Sequence, residues 1–319
     1  MKRPLKIGTR ESELAIWQAS LVQTLLKKKS VESELIFIKS EGDLDTKTPL
    51  YELGVQGIFT KTLDAALLDN RIDIAVHSMK DVPTQPAAGT TLAAVLKRAS
   101  YKDILVFKGD KNQFENELNN TERSSSNNQF SSLTIATSSI RRKAQWLHRF
   151  QNDTIENLRG NVNTRLRKLE ENNWNGAIFA AAGLERINLR PSNSIDLDWM
   201  LPAPAQGAIT IACRENDEAT FETVHLLNDE ATEACTKIER DFLRTLLGGC
   251  STPISALAVL ANDKIIFKGN VCSVDGKEKF EIQKERSLEN KNELGVIAAN
   301  EILENEKGKQ IIFEIRNAK

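Results

Sequence analysis

The chain has 319 residues, of which 40% are hydrophobic and 27% charged, and its formal net charge at pH 7 is −1. This length predicts two or three domains with a substantial buried core. The near-neutral charge argues against general affinity for nucleic acid or for an anionic membrane. No long apolar run predicts a membrane span, and the first fifteen residues lack the apolar core of a signal peptide, so we expect a cytoplasmic protein.

The first part of the chain, residues 5–107, alternates strand and helix patterns. The strand "LKIG" precedes an amphipathic stretch from Glu13 to Lys29, which Ser12 can cap. The strand "ELIFI", the helix "IFTKTLDAALL" and the strand "IDIAV" follow. This order predicts a largely parallel sheet with helices on its faces.

A second series of strands and helices begins at "DILVF", residues 103–107. Residues 111–132 are polar and poor in aliphatic side chains, and we expect an exposed, partly mobile insertion there. The alternation then resumes in "LTIATSSIRRKAQWLHRF", "IENLRGNVNTRLRKLEEN" and "GAIFAAAGLERI". The segment "LPAPAQGAITIAC" ends in a strand that could return the chain to the first sheet.

The pattern changes from about residue 228, where a long helix (230–247) precedes three strand candidates and a helix near 289–304. Successive strands without intervening helices predict an antiparallel sheet and a small α+β domain. The predicted fold class is therefore two α/β domains plus a smaller α+β C-terminal domain with a three-stranded antiparallel sheet. The predicted domains are residues 1–97 with 204–227, residues 98–203, and residues 228–319.

The four cysteines never form a CxxC pair, so neither a zinc site nor a disulfide framework is predicted. Cys250 stands apart because it follows Gly248 and Gly249. These glycines could end a helix and expose the sulfur; the alternative is a helix cap followed by a buried cysteine. The other cysteines are interpreted as structural: Cys213, Cys235 and Cys272.

The segment "IDIAVHSMKDVP" carries the first candidate functional residues. His77, Ser78, Lys80 and Asp81 should emerge beyond the carboxyl end of a buried strand, where open α/β sheets bind ligands. Pro83 prevents a helical continuation and leaves a turn that can aim these side chains. The alternative is a surface turn with an exposed Lys–Asp pair.

The segment "ATSSIRR" carries the second group. Thr137, Ser138 and Ser139 lie where a helix should begin, so their hydroxyls and the unpaired backbone N–H groups could bind an anion. Arg141 and Arg142 add guanidinium groups that can hold carboxylates or phosphates in a two-pronged geometry. The alternative is an ordinary Ser/Thr cap with two solvated arginines.

Positive charge is concentrated in residues 139–168, which contain eight Lys or Arg residues and only two acidic ones. Arg159 and Arg165, in "LRGNVNTRL", fall near a helix start where a ligand could bind. The segment "IGTRES" repeats this design with Arg10 and Ser12. The two α/β domains should therefore form a cationic cleft for a molecule with several carboxylates.

A nucleotide ligand is disfavoured because the chain has neither a GxxxxGK[ST] loop nor a GxGxxG fingerprint. Asp81 is predicted to be the one anion in the cleft. Such a carboxylate can stabilise a cationic intermediate or move protons.

Seven segments resemble the porphobilinogen deaminase (hydroxymethylbilane synthase) family, in the family's order. They are "IGTRESELA", "IDIAVHSMKDVPT", "ATSSIRR", "LRGNVNTRL", "AAAGLERI", "LPAPAQGAI" and "LGGCSTPI". The resemblance covers most of residues 5–275. It implies a transferase of tetrapyrrole (haem, porphyrin) biosynthesis that joins four porphobilinogen molecules head to tail, releases ammonia and yields hydroxymethylbilane. It also implies two periplasmic-binding-protein-like (type II) α/β domains, and a monomer.

The resemblance also implies roles for individual residues. Cys250 matches the cysteine that carries a dipyrromethane cofactor through a thioether bond. Asp81 resembles the family's catalytic carboxylate, which contacts pyrrole N–H groups and favours a positively charged azafulvene-like species. The other cofactor-binding positions are Asp43, Ser78, Lys80, Thr137, Ser138, Ser139, Arg141 and Arg142. The positions implied for the incoming substrate or growing chain are Arg10, Ser12, Arg159, Arg165 and Arg186.

Two residues depart from the family's usual pattern. Gln56 and Glu41 stand where many members have lysine and arginine, although Lys61 and Asp43 remain. Chain elongation or loop closure is therefore expected to differ.

Two other functions remain open at this point. One is a solute-binding protein that uses the same cleft. The other is a cysteine hydrolase or transferase that pairs Cys250 with His77 as its base.

Overall fold

The computed structural model describes residues 3–39, 60–119, 132–249 and 252–317, which fold into three units with one sheet each. Within these residues, no helix combines the length and the apolarity that a membrane crossing needs. Four residues singled out in the sequence lie outside the described ranges: Glu41, Asp43, Gln56 and Cys250.

The first unit is a five-stranded sheet with helices on its faces. Its strands are β1 (Leu5–Thr9), β2 (Ser33–Phe37), β3 (Ile74–Ser78), β4 (Thr90–Val95) and β10 (Ile209–Arg214), in the spatial order β2-β1-β3-β10-β4. Its helices are α1 (Glu13–Lys28), α2 (Lys61–Leu68) and α7 (Glu218–His225).

The return of the chain to the first sheet is confirmed, because β10 pairs with β3 and β4. The prediction of a largely parallel sheet is only partly right. β1, β2 and β3 are parallel, whereas β10 runs antiparallel to both of its neighbours. The reason is that β10 enters this sheet from the second unit rather than through a helical crossover within the first.

The second unit repeats this architecture. Its strands are β5 (Asp103–Phe107), β6 (Thr134–Ala136), β7 (Thr154–Glu156), β8 (Gly176–Ala180) and β9 (Ser194–Asp196), in the order β7-β6-β8-β5-β9. Its helices are α3 (Lys111–Asn119), α4 (Ile140–Arg149), α5 (Val162–Glu171) and α6 (Ala181–Arg186). As in the first sheet, three strands are parallel, and the next strand, β5, is antiparallel to both neighbours.

The first part of the polar segment after β5, predicted as an exposed and partly mobile insertion, forms helix α3, and most of the rest lies outside the described residues. Phe114 and Leu118, one helical turn apart, are buried, and the Phe114 ring stacks on Phe107 with a centroid distance of 4.5 Å. The Asp110 carboxylate accepts a hydrogen bond from the backbone N–H of Gln113 at 2.9 Å. Two apolar residues at helical spacing and a cap therefore anchor an otherwise polar sequence.

The third unit confirms the predicted three-stranded antiparallel sheet, in the order β11-β12-β13. The rings of Phe242 and Phe267 meet edge to face at 5.1 Å in its core. The last helix was not predicted from the sequence. The elements are α8 (Glu230–Thr245), β11 (Ile254–Ala261), β12 (Lys264–Cys272), β13 (Lys279–Ser287), α9 (Leu294–Glu304) and α10 (Glu306–Asn317).

The chain crosses between the first two units twice, and the two crossings are hydrogen-bonded side by side. The backbone N–H of Ala99 donates to the carbonyl of Gly207 at 3.1 Å, and Arg98 Nε donates to the carbonyl of Gln206 at 2.8 Å. Gly207 has φ +86°, and a Cβ there would lie 2.5 Å from the carbonyl oxygen of Ser100. Only glycine fits this close approach.

The third unit is fixed to these crossings by Glu239 of α8, whose side chain is fully buried. Its carboxylate accepts hydrogen bonds from Arg98 Nη1 at 2.6 Å, from the N–H of Ala205 at 2.6 Å and from the N–H of Ala258 at 2.7 Å. One buried carboxylate thus ties α8 to β11 and to both crossings.

Candidate active site

A cavity of about 890 Å³ lies between the first and second units. Most of the predicted site residues line it, and the loops at the carboxyl ends of strands in both sheets contribute to its wall. The lining residues that the sequence singled out are Arg10, Ser12, Ser78, Lys80, Asp81, Ser138, Ser139, Arg141, Arg142, Arg159, Arg165 and Arg186. This arrangement agrees with the rule that open α/β sheets bind ligands at these edges.

The end of β3 presents three of these residues to the cavity. Ser78 is the last residue of the strand, and Lys80 and Asp81 follow in a 3-10 turn that spans Met79–Asp81. Ser78 Oγ accepts a hydrogen bond from Gln18 Nε2 of α1 at 2.9 Å. The turn therefore aims one cation and one anion into the same space.

His77 differs from its prediction, because it lies inside β3 and does not line the cavity. The residue is 6% exposed, and its Nε2 atom has no hydrogen-bond partner among the described residues. Burial, together with the nearby Arg10, lowers the pKa of the imidazole to about 3. The cavity therefore offers no support for a pair of Cys250 with His77 as a base.

The hydroxyl groups at two helix N-termini are not used as helix caps. Ser12 precedes α1 and Ser139 precedes α4, and neither side chain makes a capping hydrogen bond. Asn161 before α5 does cap its helix, because its side chain accepts from Thr164 N–H at 2.9 Å. Both serines face the cavity, so their hydroxyls are placed to contact a ligand.

Thr137 does not line the cavity but lies just behind the start of α4. Its Oγ1 atom accepts a hydrogen bond from the backbone N–H of Ser139 at 3.2 Å. Ser138, between them, is buried against the cavity wall.

Arg141 and Arg142 are held by a carboxylate that the sequence analysis did not identify, Asp103 at the start of β5. Arg142 donates from Nε and Nη2 to Asp103 Oδ1 at 3.0 and 2.8 Å, and Arg141 Nη1 lies 2.8 Å from Oδ2. Burial alone would raise the pKa of Asp103, but the two guanidinium groups outweigh it and hold this pKa well below its usual range. The buried carboxylate therefore remains charged and fixes both arginines at the cavity wall.

Gln206, also not identified from the sequence, connects this cluster to the turn after β3. Its Nε2 group donates to Asp103 Oδ1 at 3.0 Å and to the carbonyl of Tyr101 at 2.8 Å. Its Oε1 atom accepts from Lys80 Nζ at 3.3 Å. A single buried amide from the second crossing thus bridges the two walls of the cavity.

Several cations of the cavity are withdrawn from water. Burial is the main cause that lowers the pKa of Arg165 to about 10, with Arg142 and Arg159 adding to it, and burial likewise lowers that of Arg186 to about 10. Arg186 also lies over the ring of Trp17, with its Cζ atom 5.8 Å from the centroid. The lowered pKa values indicate that the protein stabilises these charged groups less well than water does. The carboxylates of a bound ligand would supply the missing stabilisation.

The sequence analysis predicted that Asp81 is the one anion at the cavity, and this prediction is wrong. Glu11 and Glu13 also line it, although both side chains are exposed. The Glu13 carboxylate accepts a hydrogen bond from Asn163 Nδ2 of α5 at 2.8 Å, across the cleft. Asp81 differs from them because it is half-buried and close enough to Lys80, Arg142 and Arg165 to oppose the lowering of their pKa values by burial.

The residues on both sides of the Cys250 position open onto the same cavity. Gly249 and Thr252 line it, and Thr252 Oγ1 donates to the Gly249 carbonyl at 2.7 Å. The glycines act differently from their prediction, because the left-handed residue after α8 is Leu247, with φ +54°. Gly248 is needed for close packing, since a Cβ there would lie 2.5 Å from Leu243 Cδ1.

The comparisons with known proteins bear on this cavity directly. Residues 5–222 match the family model described as "Porphobilinogen deaminase, dipyromethane cofactor binding domain", which is more than half of the chain. The chain belongs to the porphobilinogen deaminase family. Residues 233–304 match the model of the porphobilinogen deaminase C-terminal domain, which corresponds to the third unit.

Curated relatives agree over nearly the whole length. A porphobilinogen deaminase of Chlorobium phaeobacteroides is 39% identical, with 99% of both chains covered. A porphobilinogen deaminase of Syntrophotalea carbinolica is 41% identical over 85% of this chain and 84% of the relative. Among solved structures, the methionine binding protein MetQ is 12% identical, with a TM-score of 0.41, 70% of this chain and 89% of that chain covered.

Family membership makes the protein an enzyme, a transferase of tetrapyrrole biosynthesis, with dipyrromethane as its cofactor. Each pyrrole of a porphobilinogen-derived unit carries two carboxylates, so the cofactor is a polyanion. The cavity fits such a group because buried Arg142 and half-buried Lys80, Arg165 and Arg186 supply donors whose pKa values burial has lowered. Guanidinium groups are well matched to carboxylates in charge and shape.

Lys80 makes the stability of the cofactor-free protein dependent on pH. Burial is the main cause that lowers its pKa from an ordinary 10.5 to about 8, against the opposing effect of Asp81. Between these two pH values Lys80 is mostly protonated in the unfolded chain and mostly neutral in the folded protein. The contribution of Lys80 to the free energy of unfolding therefore increases as pH rises from about 8 to about 10.5. Denaturant unfolding of protein produced without the cofactor measures this quantity.

The matched variant is Lys80→Met. Other titrating groups affect the stability of the wild type and of the variant alike. We therefore expect the free energy of unfolding of the wild type, minus that of the variant, to increase from about pH 8 to about pH 10.5. Profiles that stay parallel across this range would contradict the lowered pKa of Lys80.

Proposed function

We propose that this cavity joins four porphobilinogen molecules head to tail, with release of ammonia, to give hydroxymethylbilane on a dipyrromethane primer attached to Cys250. One observation carries the proposal. The turn with Asp81, the cations of both walls, and Gly249 and Thr252 beside Cys250 all face one space. When bound, the dipyrromethane supplies the nucleophilic pyrrole carbon to which the first substrate unit is joined.

Asp81 is the proposed catalytic carboxylate. Loss of ammonia from porphobilinogen leaves a positively charged, azafulvene-like species, which a nearby anion stabilises. Pyrrole N–H groups are also natural donors to a carboxylate. The position of Asp81 supports this role, because its negative charge lies among Lys80, Arg142 and Arg165 and acts on all three cations.

The remaining cavity residues are proposed to bind carboxylates in two groups. Asp103 and Gln206 connect Lys80, Arg141 and Arg142 into one cluster, and we assign this cluster to the cofactor. The full set of residues proposed to bind the cofactor is Asp43, Ser78, Lys80, Thr137, Ser138, Ser139, Arg141 and Arg142. The proposed substrate-binding residues are Arg10, Ser12, Arg159, Arg165 and Arg186.

The domain organisation is proposed to follow the three sheets, with residues 1–97 and 204–227, 98–203, and 228–319 as the three domains. Strand membership in each sheet supports these boundaries. We further infer a monomer that acts in the cytoplasm without nucleic acid. The cations of the described cavity wall face inward, and three cysteines are unpaired thiols, as suits a reducing compartment.

Intact mass of the denatured wild-type protein tests the proposal. Protein from cells that make porphobilinogen should be heavier than its sequence by one dipyrromethane unit, and protein from cells that cannot make it should have the sequence mass. The loaded protein should release one ammonia for each porphobilinogen consumed. A sequence mass in a preparation that makes hydroxymethylbilane would contradict the covalent primer.

A further inference from the structure

The turn that carries Lys80 and Asp81 has few hydrogen bonds of its own. It begins as the 3-10 turn Met79–Asp81, closed by Val82 N–H donating to the Met79 carbonyl at 3.2 Å. Pro83 follows and has no N–H to donate. The carbonyl groups of this segment therefore need donors from elsewhere.

Arg240 of α8 supplies these donors. Its Nη1 group donates to the carbonyls of Val82 at 2.8 Å and Met79 at 3.4 Å, and Nη2 donates to the carbonyl of Pro83 at 2.6 Å. The residue is only 9% exposed. Hydrogen bonds from a charged, buried donor are stronger than neutral ones, and these contacts hold the chain on both sides of Asp81.

The position of Arg240 is itself fixed by its neighbour in the chain. Glu239 is fully buried, and its contacts with Arg98, Ala205 and Ala258 tie α8 to both crossings and to β11. The two adjacent residues of α8 therefore bind different parts of the molecule. Glu239 anchors α8 to the framework, and Arg240 transmits that position to the turn.

Arg240 does not line the large cavity, so it has no direct contact with a ligand there. It borders a separate small cavity together with Lys80, Pro83 and Gly249. The same helix leads within ten residues to Cys250. Helix α8 thus contacts the carboxylate turn and precedes Cys250 in the chain.

We propose that Arg240 is a positioning residue for Asp81, which holds that carboxylate in place at the cavity by clamping the carbonyls of Met79, Val82 and Pro83. This inference rests on the catalytic role proposed for Asp81. Its functional consequence is a loss of rate rather than of substrate affinity when the clamp is removed, because the residues proposed to bind the substrate lie outside the clamped turn.

The test compares Arg240→Leu with Arg244→Leu, in holoenzyme purified from cells that make porphobilinogen. Arg244 lies one helical turn further along α8, is exposed, and pairs with Asp241 at 2.9 Å. Arg240→Leu should retain the added cofactor mass and lower kcat roughly 10- to 100-fold, the range expected for a displacement of about 1 Å, with KM within about twofold. Arg244→Leu should keep both constants.

A double-variant cycle separates positioning from a general loss of structure. Arg240→Lys keeps the charge but not the two-pronged geometry, and we expect it to fold even where Arg240→Leu does not. Its effect on kcat should be smaller in an Asp81→Glu background than in the wild type, because the carboxylate is already displaced there. An equal fall in both backgrounds, or a wild-type kcat in folded Arg240→Leu, overturns the inference.

Failure of this inference is distinguishable from failure of the proposed function. If Asp81→Asn is inactive while folded Arg240→Leu has full activity, only the positioning role is wrong. If Asp81→Asn has near-normal turnover, the catalytic role of Asp81 is wrong, and the positioning role that rests on it is wrong too.

Discussion

Replacement of Asp81 by asparagine is expected to lower kcat roughly 100- to 10,000-fold, the contribution typical of a catalytic carboxylate. The amide has nearly the same shape as the carboxylate but lacks its charge. A unit charge about 4 Å from a cation stabilises it by about 4 kcal/mol at an effective dielectric constant near 20, which corresponds to roughly a thousandfold in rate. Steady-state turnover of porphobilinogen is the measurement.

Two further variants make the Asp81 result specific. Asp81→Glu keeps the charge and displaces it, so we expect it to retain more activity than Asp81→Asn. Asp69→Asn removes an exposed carboxylate at the end of α2 and should leave turnover unchanged. Near-normal turnover of Asp81→Asn, with its fold and cofactor mass intact, would remove Asp81 from the mechanism.

Replacement of Cys250 by serine is expected to abolish both the added cofactor mass and the turnover. A thioether requires a sulfur nucleophile, and a serine hydroxyl at neutral pH is a far weaker one than a thiol that is partly ionised. The variant should still fold, because the Thr252–Gly249 hydrogen bond that closes the loop does not involve this side chain. Intact mass and turnover together measure the effect.

The other cysteines provide the control. Burial raises the pKa of Cys213 and Cys235 to about 11 and that of Cys272 to about 12, so these thiols are poor nucleophiles. Cys235→Ala should therefore keep the added mass. Brief alkylation of the native protein should modify Cys250 only when the cofactor is missing. Added dipyrromethane mass in Cys250→Ser would place the attachment elsewhere.

Local patterns predicted much of the fold and most of the cavity wall. Ser78, Lys80 and Asp81 follow a buried strand, and Ser139, like Arg141, lies at a helix start, so neighbours in the sequence indicate their positions. The carboxyl ends of strands gather at one edge of each sheet, and two such edges face each other here.

Contacts between distant segments could not be predicted in this way. Asp103 meets Arg142 from 39 residues away, Gln206 meets Lys80 from 126, and Arg240 meets the turn after β3 from about 160. A carboxylate at the start of the buried strand "DILVF" was an available signal for Asp103, because charged residues are rarely buried without partners. His77 was misplaced because the end of β3 lies two residues later than the apolar run suggested.

The matching strand orders of the two α/β sheets have an electrical consequence. They bring the first turns of three helices, α1, α4 and α5, to the same cavity from both sides. Each macrodipole places about half a positive charge at its N-terminus, and backbone amides do not titrate in the physiological range. The attraction for carboxylates therefore has a part that persists at pH values where Lys80 has become neutral, and that no single side-chain replacement can remove.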